Sequence, residues 1–321
     1  MGVMLRGEAS DAQIAAFVLA LHMKGETAEE LAGFARAMRD SALRIPYQTV
    51  PGEALLDTCG TGGDGQNTFN ISTTVAFVVA GCGVRVAKHG NRAMSSRSGS
   101  ADVLRKLGVT ISGSPEHAAR ALREVGICFL FAPAFHPAML HVLRVRLELK
   151  MRTVFNLLGP LANPAPTSSQ IVGAPSLQAA ERMANALASL GLKRGYVVHG
   201  EDGLDEFTLT AATHVFEICE GAVTYSRTTP EDLGMLRCTL RDLEGGGPAE
   251  NAQTTIDILE GARGPRRQIV TANAALALTA SGAAQSSVEG VALAEESIDS
   301  GAARRKLREL ADLRDDQIAP L

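Results

Sequence analysis

The sequence predicts an α/β protein: a short helical segment leads into a mostly parallel sheet covered by helices on both faces. Three observations carry this. Two capped amphipathic helices are written into the first forty residues. From about Ala54 short apolar runs alternate with helical ones, the pattern of a parallel sheet with crossover helices. Glycine-rich turns fall at the ends of the first two of those runs, where open α/β sheets bind their ligands.

The opening helices announce themselves by their caps. Ser10 with Gln13 makes a capping box, and Ile14, Phe17, Val18 and Leu21 share a face before Gly25 ends the helix. Thr27 with Glu30 repeats the device, with Leu31, Phe34, Ala35 and Met38 as the buried stripe. Strands are expected at Ala54 to Thr58, Val84 to Lys88, Ile127 to Ala132, Gln170 to Gly173 and Tyr196 to His199. Helices are expected at Ser72 to Ala80, Ser100 to Leu107, Pro115 to Glu124 and Leu177 to Leu190. Pro115 follows Ser114 as a first-turn proline. The stretch from His136 to Asn163 reads as helical with Leu140, Leu143 and Leu147 on one face, then punctuated by Pro and Gly. Phe207 to Thr210, His214 to Cys219 and Val223 to Ser226 read as strands, and the tail from Ala249 as mostly helical.

Composition bounds the function. A chain of 321 residues with 45% hydrophobic residues buries a substantial core, and a net charge of −4 argues against a general nucleic-acid binder. Cys59, Cys82, Cys128, Cys219 and Cys238 are scattered without a C-x-x-C, which fits free thiols in a reducing cytoplasm, with Cys59 a strand-end filler. The seven histidines show no zinc spacing. No signal peptide and no membrane-length apolar run is evident.

The chemistry concentrates between Asp57 and Asp102. Gly60, Gly62, Gly63 and Gly65 form one loop; Thr68, Asn70, Ser72 and Thr73 open a helix; Lys88, His89, Asn91, Arg92, Ser95, Ser96, Ser98 and Ser100 fill a second loop. From Asp64 to Asp102 no acid intervenes, while Arg85, Lys88, Arg92 and Arg97 are basic. Glycines let backbone N–H groups converge on an anion, and a helix start adds a favourable dipole. Two such loops point to a ligand with more than one phosphate. GTGGDG also satisfies G-x-G-x-x-G, but the acid that a dinucleotide fold needs about 20 residues on is missing, so the nicotinamide reading fails. A second cluster, Glu201, Asp202, Asp205 and Glu206, is either a solvated acidic loop or carboxylates for a cation shared with phosphate oxygens. Arg144, Arg146 and Arg152 read individually as solvated cations; Arg146 borders the apolar face of its helix, within reach of a cleft.

GTGGDG, NIST, KHGNRAMSSRSGSAD, FLFAPAFHPAM, VRLELKMRTVFNLLGPLANP, VVHGEDGLDEFTL and VEGVALAEESIDSGAA, in that order, resemble the anthranilate phosphoribosyltransferases of tryptophan biosynthesis over nearly the whole chain. Arg97 stands where that family usually has Lys, and Gln268 where it often has an acid. The chain starts at MGVMLRGEASDAQIAAF, where a further helix is usual. The resemblance implies a nucleoside phosphorylase/phosphoribosyltransferase-like fold, with residues 1–50 and 136–165 as a small helical domain and 51–135 and 166–321 as the α/β domain. It implies Mg²⁺ on Ser72, Asp205 and Glu206. It implies phosphoribosyl pyrophosphate contacts at Gly60, Gly63, Asp64, Thr68, Asn70, Ile71, Ser72, Thr73, Lys88, His89, Gly90, Asn91, Arg92, Ala93, Met94, Ser95, Ser96 and Ser100, and an anthranilate site at Gly60, Asn91 and Arg146, lined by His89. Lys88, Arg146, Asp205 and Glu206 are the residues on which catalysis is then expected to rest, in a cytoplasmic homodimer joined through the small domain. Two other readings are a nucleoside phosphorylase of the same fold, which should lack the joint KHGNR and Asp-Glu signature, and a non-catalytic nucleic-acid-binding relative, which should show surplus Lys and Arg.

Overall fold

The computed structural model describes residues 1–93 and 97–315. The chain opens with α1 (Gly2–Leu5), α2 (Asp11–Lys24) and α3 (Ala28–Asp40). Both expected capping boxes form: the Ser10 and Thr27 hydroxyls accept the N–H groups of Gln13 and Glu30, whose side chains accept back from the cap N–H. Ile14, Val18 and Leu21 are buried, as are Leu31, Ala35 and Met38. Phe34 is partly buried against the same cluster, while Phe17 leaves its stripe. Their rings meet edge to face at 5.9 Å on the surface side, with Phe17 38% exposed.

After these come β1 (Leu55–Gly60), α4 (Ile71–Gly81), β2 (Arg85–Gly90), α5 (Ser100–Lys106), α6 (Pro115–Glu124) and β3 (Ile127–Phe131). Next are α7 (Ala132–Phe135), α8 (Leu140–Leu149), α9 (Val154–Leu161), β4 (Ser169–Gly173), α10 (Leu177–Ser189), β5 (Arg194–Gly200), β6 (Thr213–Cys219) and β7 (Ala222–Thr228). Helices α11 (Pro248–Leu259), α12 (Pro265–Ser281), α13 (Ser287–Asp299) and α14 (Ala302–Asp312) close the described chain. The sheet runs β3-β2-β1-β4-β5-β6-β7, parallel through β5 and antiparallel thereafter. The chain moves outward from β1 to β3, then returns to lay β4 on the other side of β1. The crevice at the carboxyl ends of β1 and β4 is therefore the switch point where such sheets bind ligands.

The alternation of strand side chains feeds two apolar clusters. Leu56, Val86, Ile171 and Val198 pack with α4 and α12 on one face. Cys59, Val172 and Val197 pack on the other with α10, and this cluster continues into α1, α2, α3, α8 and α9. Helices distant in sequence are thus joined, with α2 on α8 and α3 on both α9 and α10. No helix among the described residues is long and apolar enough to cross a membrane.

Two expected elements differ. On α8 the inward face is Val142 and Val145, while Leu140, Leu143 and Leu147 point to solvent, Leu140 at 69% exposure. Both stripes have helical spacing, and the β-branched pair is the one that meets α2. Phe207 to Thr210 is no strand. It is a buried turn whose N–H groups go to side chains, Phe207 to Asn273 Oδ1 at 2.9 Å and Thr208 to Thr213 Oγ1 at 3.0 Å, so it needs no ladder partner.

Candidate active site

The glycine loop leaves the carboxyl end of β1. Gly62 and Gly63 take φ of 64° and 68°, a left-handed backbone that an L side chain rarely adopts. The loop delivers the chain to the start of α4. There the Asn70 side chain does not cap the helix: its Oδ1 accepts from Asn251 Nδ2 at 2.9 Å and its Nδ2 donates to the Ser98 carbonyl at 3.3 Å. The N-cap residue of α4 thus leaves the helix start to other partners, and the Glu206 carboxyl takes the Ser72 N–H there, as an anion at a helix start does. Thr73 Oγ1 and Asp64 Oδ2 are buried beside it without a hydrogen-bond partner among the described residues. Ile71 is different. Its side chain lies in the core and its N–H is spent on the Phe69 carbonyl at 2.8 Å. Thr68 pairs across an isolated bridge with Glu244.

Lys88, on the neighbouring strand β2, is buried beneath this helix start. Its Nζ donates to the Thr58 carbonyl and, at 3.3 Å, to Ser72 Oγ. Burial draws its pKa down, opposed by Asp57, Cys59 and Glu206. His89 follows, its ring nitrogen Nδ1 3.2 Å from the Gly159 carbonyl and its Nε2 buried without a partner among the described residues. Burial and the neighbouring His136 push its pKa down to about 3, so the ring is neutral at pH 7. The second loop begins at Gly90 and Asn91. The Asn91 carbonyl accepts from Ser100 Oγ at 3.2 Å and from Ala101 N at 3.1 Å. Asp102 clamps both ends of the loop, accepting from Ala93 N at 3.0 Å and Gly99 N at 3.1 Å. Arg92 is exposed, its guanidinium 5.6 Å from the Phe131 ring centroid. Met94, Ser95 and Ser96 lie outside the described residues.

The acidic run divides. Glu201 turns outward to Arg227 at 2.6 Å, and Asp202 accepts from the hydroxyls of Thr208 and Thr210. Asp205 turns to the glycine loop and Glu206 to the Ser72 N–H at the start of α4. Asp205 Oδ2 accepts the Gly62 N–H at 2.7 Å. Close approach is possible because β1 and β4 end in glycine: a Cβ on Gly60 would meet Asp205 Oδ2 at 2.5 Å, and one on Gly173 would collide with the Asp205 carbonyl oxygen. Burial and then the Asp64 charge push Asp205 up to about 7. Burial and Asp205 raise Glu206 well above the carboxylate range, with Lys88 opposing. Among the described residues no three His, Cys, Asp or Glu side chains form a ready-made metal cage. The donor set still fits Mg²⁺, which takes one or two carboxylates together with phosphate oxygens. Three crowded carboxyls, one with an orphaned buried oxygen, favour a cation between them.

Arg146 sits near the end of α8 with its guanidinium 5.2 Å from the Phe155 ring centroid on α9. It is half-buried, desolvation lowers its pKa, and no carboxylate pairs with it among the described residues. Sequence reasoning passed over three contributors. Arg152 donates to the carbonyls of Gly63 and, at 3.0 Å, Gly62. Asp57 accepts the His89 N–H at 3.1 Å and Asn163 Nδ2 at 2.7 Å deep in the sheet. Asn251 positions Asn70. An Asp in the middle of a buried strand was the one available signal.

A switch-point crevice with a glycine loop, a helix start and facing carboxylates is the class of site at which open α/β proteins act on phosphorylated ligands. Comparison with known proteins agrees. A profile described as "Glycosyl transferase family, helical bundle domain" matches residues 1–42, and one described as "Glycosyl transferase family, a/b domain" matches residues 52–304. Anthranilate phosphoribosyltransferase of Solibacter usitatus is 57% identical, covering 97% of this chain and 92% of that protein. That of Geobacter sulfurreducens is 51% identical, covering 98% and 93%. Among solved structures, the Thermus thermophilus enzyme has a TM-score of 0.91 at 45% identity, covering 97% of this chain and 92% of that one. The Saccharomyces cerevisiae enzyme in complex with PRPP and Mg has a TM-score of 0.86 at 32% identity, covering 94% and 85%. The chain belongs to the anthranilate phosphoribosyltransferase family.

Proposed function

We propose that this chain transfers the phosphoribosyl group of phosphoribosyl pyrophosphate to the amine of anthranilate, releasing pyrophosphate, in tryptophan biosynthesis. The observation that carries the reading is the Gly62 N–H bound to Asp205 Oδ2, which holds the glycine loop against the acidic turn. Backbone N–H groups of the α4 start and the hydroxyls of Ser72 and Thr73 receive the phosphates, with Lys88 adding positive charge beneath Ser72. Asp64 accepts from a ribose hydroxyl. Arg146, with Asn91 and Gly60, holds the anthranilate carboxylate, for which a planar guanidinium fork is suited. Ser72, Asp205 and Glu206 are the residues that would hold Mg²⁺, which supplies charge neutralisation for the departing diphosphate.

The arylamine is neutral at pH 7 and attacks C1 of the ribose as the C1–oxygen bond to pyrophosphate breaks, with oxocarbenium character and inversion. It then sheds its proton, so no strong base is required. Catalysis rests on positioning two substrates across the crevice and stabilising the leaving group with preorganised donors. The protein is further proposed to act in the cytoplasm as a homodimer joined through α2, α3 and α8. Exposed Phe17, Leu140, Leu143 and Leu147 support this, and light scattering should give twice 33.7 kDa. The deciding experiment mixes the purified protein with anthranilate, phosphoribosyl pyrophosphate and Mg²⁺ and follows anthranilate fluorescence. Its loss is expected; unchanged fluorescence at high enzyme concentration would overturn the proposal.

A further inference from the structure

Arg152 belongs to neither substrate pocket as assigned, yet it connects them. It lies in the four-residue link between α8, which ends at Leu149, and α9, which begins at Val154. That link is short. Lys150 closes α8 in the left-handed conformation at φ 50°, and the Thr153 N–H donates to Asn156 Oδ1 at 2.9 Å where α9 begins. The two helices are also tied across the link, because Arg146 of α8 lies over the Phe155 ring of α9. The link therefore joins two helices that already touch, with Arg146 before it and Arg152 within it.

From that link the Arg152 guanidinium reaches across to the glycine loop. Nη2 donates to the Gly62 carbonyl at 3.0 Å and Nη1 to the Gly63 carbonyl. No carboxylate pairs with Arg152 among the described residues, so its fork is committed to two adjacent peptide carbonyls. Gly62 is held from both sides. Its carbonyl accepts from Arg152 and its N–H donates to Asp205. A rearrangement of this loop around a diphosphate would act on the guanidinium, and through the short link on Arg146. Charge-assisted bonds in a planar two-point arrangement transmit displacement where a single flexible ammonium contact would not.

We propose that Arg152 is a positioning residue that couples the two substrate pockets, so that filling the diphosphate loop sets Arg146 for the anthranilate carboxylate. This rests on the assignment of the pockets made above. Linkage makes it measurable, because coupling is reciprocal and a modest one amounts to about fivefold or more in affinity.

The test measures anthranilate binding by fluorescence with and without inorganic pyrophosphate plus Mg²⁺. The native protein should bind anthranilate at least about fivefold more tightly when pyrophosphate is present. In Arg152→Ala that ratio should fall to about one while the protein still melts cooperatively. If Arg152→Ala does not fold, Arg152→Gln replaces it with the same expectation. Arg152→Lys, which keeps the charge but not the fork, should behave like the alanine variant. A native ratio of one, an unchanged ratio in Arg152→Ala, or full restoration by Lys would overturn the coupling. So would a large loss of pyrophosphate affinity with the ratio intact, which would make Arg152 a phosphate ligand. Failure of the native protein to bind anthranilate at all would instead sink the proposed function on which the coupling depends.

Discussion

The Gly62 N–H donates to Asp205 Oδ2 at 2.7 Å, so a residue of the acidic turn fixes the conformation of a loop more than a hundred positions earlier. Removing the charge of Asp205 weakens that hold and thins the carboxyl cluster together. Asp205→Asn and Glu206→Gln should each lower turnover by at least about 10²-fold, the scale of losing one preorganised electrostatic group. The fold should survive, since both side chains sit at the crevice. Activity should also disappear in excess chelator. Full turnover by both variants, or turnover indifferent to chelator, would remove the cation from the reaction.

Arg146→Ala should raise the KM for anthranilate far more than that for phosphoribosyl pyrophosphate. Truncating one partner of a desolvated charge pair costs on the order of 2–5 kcal/mol, much of it from the charge left unpaired. Initial rates with each substrate varied in turn separate the pockets. A defect confined to the phosphorylated substrate would show that the two sites are assigned the wrong way round.

Gly173→Ala should be more damaging than an alanine at a strand end usually is. The added Cβ would collide with the Asp205 carbonyl, a backbone atom with no rotamer to escape into. The acidic turn must then move, at a cost of roughly 1–3 kcal/mol by analogy with overpacked cores. Thermal melting should register the loss, and turnover should fall further than stability does. Near-native rates in Gly173→Ala would mean that Asp205 tolerates displacement.

His89 makes stability depend on acidity. Its pKa is depressed to about 3 by burial and by His136, against about 6.5 in the unfolded chain. Between those values the unfolded state binds more protons, so this group's contribution is fully present above pH 6.5 and is lost as pH falls towards 3. His89→Gln should therefore show a shallower decline in stability over that window than the native protein. Denaturant titrations at several pH values compare the slopes, and identical slopes would show that the ring is not held neutral by the fold.

Much of this was legible beforehand, for identifiable reasons. Proline and its preceding serine fixed α6 at both its start and its register, and the glycines marked where strands end because a close backbone approach demands them there. The Ser10 and Thr27 boxes are local chemistry and needed no tertiary knowledge. What failed depended on partners. Nothing within α8 says whether Val142 and Val145 or Leu140, Leu143 and Leu147 will find a neighbour, since both stripes have the helical period. Phe207 to Thr210 has strand-like residues, but Asn273 and Thr213 satisfy its N–H groups from elsewhere. In the site, motif order selected Asp205 and Glu206, yet only the fold shows Glu201 and Asp202 turning away. Arg152 looked like any solvated cation, because its acceptors are carbonyls about ninety positions earlier.

The placement of α8 and α9 has a consequence for how the protein is made. On the ribosome, α1, α2 and α3 emerge with Ile14, Val18, Leu31 and Met38 uncovered, and about a hundred residues must follow before Val142 and Leu158 arrive to pack on them. At ordinary translation speeds that interval is on the order of 5–20 s. During it the nascent segment presents a sticky surface with no native destination, while β1, β2 and β3 are already available to pair. A codon run or a chaperone that alters the pace through this stretch would change the yield of native protein without altering a single contact in the finished molecule.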